Sequence, residues 1–349
     1  MNTIYVKVKD AGDAAIGEAG RMIRSGGLVA FPTETVYGLG GNALDPASSK
    51  KIYEAKGRPS DNPLIVHIAD TADLEQIAES VPPAAYVLAK KFWPGPLTMI
   101  FHKKPSVPYE TTGGLDTVAV RFPSHPIAQA LIKASGTFIA APSANVSGRP
   151  SPTSGEHVLS DMDGRIDMII DSGPCEIGLE STIIDMTEEI PVILRPGYVS
   201  EQMLRDAVGD VGRDPAVFDE DTTARPKAPG MRYRHYAPKG SLAIVSGDRD
   251  KVISYIRRQT EERPAGEGKR YGVITCTQDA GMYPLADFVA DAGSLEDENE
   301  IASRLYDLLR RCDEEKIDVI FSEEFDTPRM GSAIMNRLIR AAGHNIIKL

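Results

Sequence analysis

The stretch that decides the fold is LVAFPTETVYGLGGNA, Leu28 to Ala43. It begins with apolar residues that favour strands and ends in three closely spaced glycines, so it predicts a strand that runs into a glycine-rich turn. If the strand continues, Thr33, Thr35 and Tyr37 share one of its faces. The glycines would then allow a ligand to approach the backbone closely. An ordinary strand and turn is the alternative interpretation.

Further apolar runs follow between Ala43 and Arg205, and each is short, rich in β-branched residues and bounded by Gly, Pro, Asn or Asp. They are PLIVHIA, LTMIFH, TVAVRFP, TFIAAPSAN, DMIIDSG, STIIDM and PVILRPG. Helical patterns occur before and between them, in AAIGEAGRMIRSGG, SSKKIYEAKG, TADLEQIAES, AAYVLAKKFW and IAQALIKASG. Because several strands follow one another without a helix, we predict an α/β domain with a twisted mixed sheet and flanking helices.

The C-terminal part alternates strand and helix patterns, from SLAIVSG and DKVISYIRRQTEE to SAIMNRLIRAAG and NIIKL. Repeated βαβ units predict a smaller, Rossmann-like parallel α/β domain. It has no GxGxxG or P-loop motif, so the sequence supports no dinucleotide or nucleotide site there. Between the two regions lies an irregular segment that contains MRYRHY, Met231 to Tyr236. We expect a first domain at 1–205, an interdomain loop acting as a lid at 206–239, and a second domain at 240–349.

The 349-residue chain has a formal net charge of -11, which argues against general binding to nucleic acids or membranes. Its three cysteines, Cys175, Cys276 and Cys312, are far apart and show no metal or disulfide spacing. They are expected to be buried thiols, in keeping with a reducing cytoplasm. The sequence shows neither a signal peptide nor a membrane-spanning segment.

Two cations stand two positions apart in EAKGRPSDNPL, Glu54 to Leu64. Gly57 lets the chain turn after a helix, so Lys56 and Arg58 can line one concavity. Arginine offers a planar fork for phosphate oxygens and lysine a point charge. The alternative is a solvated helix end, where cations are favoured by the helix dipole.

Polar side chains also end several of the apolar runs. After TFIAA come Ser143, Asn145 and Ser151, at a place where α/β sheets bind ligands. Arg121 ends another run and needs a partner if it is buried, either a substrate carboxylate or an aspartate. Ser181, Arg195 and His67 have similar positions, with a strand cap or a core histidine as the alternatives. These residues alone do not decide between ligand binding and the structural alternatives.

The combination of Lys56-x-Arg58 with Ser143-x-Asn145, between PTETVYGLG and GLESTIID, resembles the YrdC/Sua5 family. The segment MRYRHYAP and the C-terminal part resemble the longer Sua5 type of this family. The resemblance implies a threonylcarbamoyl-AMP synthase, a nucleotidyltransferase that uses L-threonine, bicarbonate and ATP and releases pyrophosphate. Its product serves the threonylcarbamoyl modification of adenosine 37 in tRNA.

The resemblance also implies roles for individual residues. The catalytic tetrad would be Lys56, Arg58, Ser143 and Asn145. Nucleotide contacts are expected from Arg58, Asn62, Thr117, Ala141, Ser143, Ser151, Arg195 and His235. Threonine contacts are expected from Thr35, His67, Arg121 and Ser181, with Arg121 pairing the carboxylate. No dedicated metal ligands are expected, because Mg²⁺ would accompany the triphosphate and be held by phosphate oxygens and water.

The expected partners are L-threonine, bicarbonate, ATP and the downstream transferase machinery that modifies tRNA, without stable binding of tRNA or membranes. Three other functions remain open at this point: an RNA-binding module, an enzyme of the same fold acting on carbamoyl-adenylate, and a small-molecule sensor. The sequence supports them less, because the chain is acidic and lacks the zinc-finger and acylphosphatase-like regions of the carbamoyl-adenylate enzymes.

Overall fold

A computed structural model describes residues 2–215, 235–263 and 268–349. The described residues divide into two compact units: 2–147 with 151–215, and 148–150 with the residues from 235 onward. Within these ranges, no helix combines the length and the apolar character that crossing a bilayer requires.

The first unit is built on one mixed sheet of eleven strands. The strands are β1 Ile4–Lys7, β2 Val29–Phe31, β3 Gly38–Asn42, β4 Ile65–His67, β5 Leu97–His102, β6 Thr117–Arg121, β7 Ile139–Ala141, β8 Met168–Asp171, β9 Thr182–Asp185, β10 Val192–Arg195 and β11 Gly212–Arg213. Their order across the sheet is β1-β8-β2-β3-β7-β4-β6-β5-β9-β10-β11. For example, β4 is parallel to β6 and antiparallel to β7, which confirms the predicted mixed sheet.

The helices of this unit are α1 Ala14–Arg24, α2 Pro46–Lys56, α3 Leu74–Ile77, α4 Pro83–Phe92, α5 Pro126–Ser135, α6 Gly155–Met162 and α7 Glu201–Val208. The pattern in TADLEQIAES predicts a full helix, but only a 3₁₀ turn and the four residues of α3 form. Beyond α3 the chain instead bonds to the end of β5. The backbone N–H of Glu79 donates to the carbonyl of His102, and that of Lys104 donates to the carbonyl of Ile77. The pattern did not predict β1, α6, α7 or β11, and α7 runs across position 205.

The predicted continuation of the strand through Thr33, Thr35 and Tyr37 is wrong. The chain turns after β2 and returns as β3, which pairs antiparallel with it. The hydroxyl of Thr33 lies 3.2 Å from the backbone nitrogens of both Thr35 and Val36 and accepts from them. It also donates to the carbonyl oxygen of Val36 at 2.6 Å. A side chain that satisfies nearby backbone groups in this way competes with a sheet ladder and stabilises a turn.

The predicted role of the glycines is also wrong, because Gly38 and Gly40 lie within β3 and face other side chains. A Cβ atom on Gly40 would lie 2.9 Å from both Ile139 and Phe31. One on Gly38 would lie 3.1 Å from the Phe31 ring. These glycines therefore make room for the ring of Phe31, which packs edge-on against His67 with 6.1 Å between ring centroids.

Alternation along the strands divides the core between the two faces of the sheet. Val29 and Phe31 pack with helices α1 and α5, whereas Ala30 between them packs with the cluster that includes α2, α4, α6 and α7. A third cluster contains only strand residues among those described: Ile65, Ile100, Ala119, Ile183 and Leu194. Ile65 is in register with Ala141, a member of the α1–α5 cluster, so both clusters lie on the same face.

The second unit has a five-stranded sheet, and every pairing in it is parallel. Its elements are β12 Ser241–Ser246, α8 Arg249–Glu261, β13 Tyr271–Thr275, β14 Phe288–Asp291, α9 Glu298–Glu314, β15 Val319–Glu323, α10 Gly331–Ala341 and β16 Ile346–Lys348. The strand order β14-β13-β15-β12-β16 confirms the predicted parallel α/β unit with β16 at one edge.

Candidate active site

The two cations of the EAKGRPSDNPL stretch are both buried. Helix α2 ends at Gly57, which adopts a left-handed conformation with φ of 63°. The next backbone N–H, that of Arg58, bonds back to the carbonyl of Tyr53 at 2.9 Å, so the chain reverses sharply. Lys56 is 1% exposed and Arg58 9% exposed. The alternative of a solvated helix end is therefore wrong.

The ammonium group of Lys56 joins this turn to the Ser143-x-Asn145 loop. Its Nζ donates to the carbonyl oxygens of Ser143 and Asn145, both at 2.5 Å, and lies 3.4 Å from Asn145 Oδ1. Ser143 Oγ donates to the same Oδ1 at 2.6 Å. Three members of the expected tetrad thus form one hydrogen-bonded group, although Lys56 is 87 and 89 residues from the other two in the chain.

Arg58, the fourth member, is fixed against its own loop. Its Nε donates to the carbonyl of Asn62 at 3.2 Å and its Nη2 to that of Pro63 at 3.1 Å. The hydroxyl of Tyr53 donates to the Asn62 carbonyl as well. A guanidinium held at two points keeps its plane in a defined orientation, which suits bidentate binding of a phosphate.

A row of polar side chains crosses the centre of the sheet. Arg121 at the end of β6 is in register with His67 on β4 and with Thr98 on β5. Residues in register have side chains on the same face, so this row adjoins the strand-only apolar cluster, whose Ile65 is two residues from His67.

The row continues on the next strands through hydroxyl and guanidinium groups. Thr98 Oγ1 and Ser181 Oγ are 2.7 Å apart. The guanidinium of Arg195, at the end of β10, donates to the Ser181 carbonyl at 3.1 and 3.0 Å and to Ser181 Oγ at 3.2 Å. Arg195 and Ser181, which the resemblance assigns to different substrates, are therefore direct neighbours.

Three expected nucleotide residues lie at one end of β4 and β6, and two expected threonine residues lie at the other end. Asn62 precedes β4, Thr117 begins β6, and Ala141 is in register with Ile65 at the start of β4. His67 and Arg121 end these two strands. From Thr117 to Arg121 the chain advances four residues, or ~13 Å at ~3.3 Å per residue. An elongated site along the two strands follows from this arrangement.

Two buried glutamates lie next to expected site residues. Arg121 Nη2 lies 2.7 Å from Glu34 Oε1. The protein partner of this buried cation is therefore a glutamate and not the aspartate that the sequence analysis considered. Ser151 Oγ donates to Glu180 Oε1 at 2.6 Å. Thr35 follows Glu34 and its hydroxyl lies 2.9 Å from that of Thr33.

His67 is a neutral imidazole at physiological pH. Burial lowers its pKa to about 3, and the positive charge of Arg121 acts in the same direction. Its Nδ1 lies 3.1 Å from the carbonyl oxygen of Ile65, which can only accept, so Nδ1 carries the proton in this contact. A neutral histidine beside Arg121 can take part in hydrogen bonds without adding a second positive charge.

His235 belongs to the second unit, where its ring centroid is 5.6 Å from that of Tyr236. Tyr236 in turn packs against Tyr306 at 5.1 Å. Of the expected lid at 206–239, residues 216–234, which include Met231 to Arg234, lie outside the described residues.

Sequence reasoning missed three side chains of this region: Glu34, Thr98 and Glu180. Glu34 stands between two threonines directly after an apolar strand, and Glu180 precedes Ser181, so both positions carry a signal: a charge beside a buried strand. Thr98 carries none, because a threonine inside a strand is ordinary.

One group of three possible metal ligands occurs among the described residues, formed by Cys276, Asp279 and Glu323 of the second unit. Its donors are a thiol and two carboxylates. Mg²⁺ prefers an octahedral shell of oxygen atoms, so this group does not fit the metal that the resemblance implies.

The geometry can be compared with known proteins. A family model described as "Telomere recombination" (Sua5, YciO, YrdC) matches residues 21–197. A second model, described as "Threonylcarbamoyl-AMP synthase, C-terminal domain", matches residues 199–343. The chain is also 47% identical to a threonylcarbamoyl-AMP synthase of Bacillus subtilis, over 99% of this chain and 98% of the relative. A synthase of the same name from Pyrococcus abyssi is 50% identical, over 99% and 100%.

Solved structures agree with these matches. The crystal structure of P. abyssi Sua5 complexed with L-threonine superimposes with a TM-score of 0.93, at 48% identity and full coverage of both chains. E. coli YciO matches the chain with a TM-score of 0.51 and 27% identity, over 56% of this chain and 96% of its own. The chain therefore belongs to the Sua5/YrdC family, in its long form with the Sua5 C-terminal domain.

Proposed function

We propose that this protein is an L-threonylcarbamoyladenylate synthase. It condenses L-threonine, bicarbonate and ATP into threonylcarbamoyl-AMP and pyrophosphate, the activated intermediate for the threonylcarbamoyl modification of tRNA. The observation that carries the proposal is the position of Asn62, Thr117 and Ala141 at one end of β4 and β6 and of His67 and Arg121 at the other end. Relatives that span the full chain bear this enzyme's name.

The reaction needs little covalent chemistry from the protein. The amino group of threonine, after its ammonium form has lost a proton, attacks CO₂ and releases a second proton, or attacks bicarbonate and releases water; either way it forms a carbamate. A carbamate oxygen then attacks the α-phosphorus of ATP, and pyrophosphate leaves. Since no protein nucleophile takes part, catalysis rests on positioning the substrates and on stabilising negative charge.

The nucleotide end supplies fixed positive charge. Arg58, oriented by the carbonyls of Asn62 and Pro63, is placed to hold phosphate oxygens. Lys56, Ser143 and Asn145 form a hydrogen-bonded group near the start of β4 and provide the charge that the transferred carboxyl group and the phosphates require. The remaining nucleotide contacts of the proposal are Thr117, Ala141, Ser151, Arg195 and His235, of which Arg195 lies beside Ser181.

The amino-acid end supplies Arg121 for the carboxylate and His67, Thr35 and Ser181 for the remaining polar groups of threonine. The neutral state of His67 suits recognition of a hydroxyl group. Mg²⁺ is proposed as a companion of the triphosphate, held by phosphate oxygens and water rather than by a cage of carboxylates.

The proposal extends to organisation and location. We assign the chemistry to 1–205, which holds all the proposed site residues except His235, and treat 206–239 and 240–349 as the linking segment and the C-terminal domain. The product would pass in the cytoplasm to the transferase machinery that modifies tRNA.

The test is pyrophosphate release from ATP and bicarbonate with each of the twenty amino acids in turn. Threonine alone should stimulate release, and mass spectrometry should detect threonylcarbamoyl-AMP only when bicarbonate is present. ATP turnover that is indifferent to threonine would overturn the proposal. Steeply salt-dependent tRNA binding without ATP binding would indicate an RNA-binding module instead.

A further inference from the structure

Glu34 is a buried carboxylate for which the reaction described above has no use. It is 5% exposed and lies in the turn that joins β2 to β3, directly before Thr35. The charged or titratable side chains that act on it or feel its charge are Arg121, His67, His125 and Cys175. The first two belong to the polar row across the sheet, so Glu34 faces the amino-acid end of the site.

The carboxylate is close to its partner but poorly hydrogen-bonded. Arg121 Nη2 is 2.7 Å from Glu34 Oε1. Nevertheless, within the described part of the chain, neither carboxylate oxygen of Glu34, nor Nε or Nη2 of Arg121, has a well-directed hydrogen bond. Buried polar atoms are nearly always hydrogen-bonded, so a buried pair with unused capacity on both partners indicates groups that a ligand completes.

Glu34 is nonetheless ionised. Burial raises the pKa of its carboxyl group, but the lowering effect of the adjacent positive charge of Arg121 and of nearby polar groups outweighs the effect of burial. The pKa therefore lies below its ordinary range. At physiological pH the site presents a negative and a positive group side by side, both buried.

We propose that Glu34 binds the α-ammonium group of the incoming amino acid, before that group loses the proton that carbamate formation requires, while Arg121 binds its α-carboxylate. This inference rests on the proposed function, because it assigns one more contact at the threonine site. A zwitterion has its own positive and negative groups a short distance apart, so it can lie antiparallel to the Glu34–Arg121 pair. Each buried charge then gains an opposite charge, and the net charge of the site does not change.

The assignment predicts which molecules the site rejects. An analogue of threonine in which a hydroxyl group replaces the ammonium group offers Glu34 a neutral donor only. Hydrogen bonds to charged groups contribute ~1.5–3 kcal/mol, more than neutral ones do. The wild-type protein should therefore bind threonine at least about tenfold more tightly than this hydroxy analogue.

The experiment measures binding of threonine, of the hydroxy analogue and of ATP to the full-length protein by calorimetry. Glu34→Gln keeps the size of the side chain but removes its charge. We expect its threonine Kd to rise roughly tenfold to a hundredfold, its preference for threonine over the analogue to shrink, and its ATP Kd to stay unchanged. The matched control is Glu298→Gln, which breaks a Glu–Arg pair of 3.0 Å in the second unit and should change none of the three.

Two results with the Glu34→Gln variant would overturn the assignment. One is unchanged threonine binding in Glu34→Gln. The other is an equal loss of threonine and analogue, which would mean that Glu34 only supports Arg121. If the variant loses ATP binding and therefore its fold, the wild-type comparison decides, since equal binding of threonine and the analogue overturns the assignment by itself.

The same set of measurements separates this inference from the proposed function. Threonine-dependent pyrophosphate release by the wild-type protein is measured first. Its absence with every amino acid would reject the proposed function. Its presence, together with unaltered threonine binding in Glu34→Gln, would reject only the role of Glu34.

Discussion

Replacement of Lys56 by methionine tests whether its buried ammonium group is a structural link, a source of catalytic charge or both. Methionine has a similar length and keeps the apolar part of the side chain. It loses the two hydrogen bonds of 2.5 Å to the carbonyls of Ser143 and Asn145 and the weaker contact with Asn145 Oδ1. The variant therefore separates the turn after α2 from the loop that follows β7.

The expected cost follows from these contacts. Hydrogen bonds to a charged group contribute ~1.5–3 kcal/mol each, and a carbonyl left buried without a donor costs a similar amount. Against this, burying an ammonium group carries a desolvation penalty of several kcal/mol, which the variant no longer has. We expect a net decrease in the free energy of unfolding of about 2–4 kcal/mol.

Lys51→Met is the matched control. Lys51 lies on the same helix and donates one hydrogen bond of 2.7 Å to the carbonyl of Gly26, but the residue is exposed. The same substitution there should cost less than about 1 kcal/mol.

The assay is urea unfolding followed by tryptophan fluorescence. The chain has a single tryptophan, Trp93, which is buried in the first unit and donates to the Leu97 carbonyl at 2.7 Å. Its emission therefore reports on the unit that contains Lys56, even if the two units unfold separately.

Pyrophosphate release is measured on the same samples under conditions where the variant is folded. If the ammonium charge stabilises the transition state, kcat should fall by about a hundredfold or more. Equal destabilisation by Lys56→Met and Lys51→Met would refute the structural argument. Unchanged turnover in a destabilised variant would refute the catalytic one.

Three further outcomes are expected. Arg121→Ala should raise the KM for threonine at least about tenfold and leave that for ATP nearly unchanged; equal effects in steady-state kinetics would make Arg121 structural. Gly40→Ala should lower the free energy of unfolding by about 1–3 kcal/mol, because the added Cβ lies 2.9 Å from Ile139 and Phe31; an unchanged urea midpoint would contradict this. His67 has a folded-state pKa of about 3, below that of the unfolded chain, so the unfolded chain takes up a proton first as the pH falls. Stability should therefore decrease by up to ~1.4 kcal/mol per pH unit below pH ~6.5, and the decrease measured between pH 7 and 5 should be smaller in His67→Asn.

The strands were predictable because their apolar, β-branched runs are packed on both faces of the sheet and end in turn residues. The turn at Thr33 was not, because threonines alternate there as they do in a strand. What decides the structure is the hydrogen bonding of one hydroxyl to the backbone two and three residues ahead, and the pattern of residue types does not contain that choice. The role of the glycines in β3 was predicted wrongly for a related reason. They are small because the ring of Phe31 packs against them, and the pattern of residue types does not contain that contact.

The candidate site was predictable as a set of residues but not as a set of contacts. The resemblance singled out Lys56 and Asn145, and the structure brings them together. The contact is made by the backbone carbonyl of Asn145, which accepts from Lys56 although the two residues are 89 positions apart. Arg121 was recognised as a buried charge in need of a partner. That its partner is Glu34 follows from the chain reversal at Thr33, which the sequence pattern did not predict.

The different partners of the buried cations indicate how one acidic chain can serve two kinds of ligand. Lys56 and Arg58 donate hydrogen bonds to backbone carbonyl oxygens, which orient the two cations. Arg121 is held by a carboxylate, so its pair is neutral overall. A triphosphate requires net positive charge, whereas an amino-acid zwitterion requires one charge of each sign. In the proposal, the nucleotide end supplies the cations Lys56 and Arg58, and the amino-acid end supplies one charge of each sign, within one sheet of a chain whose net charge is -11.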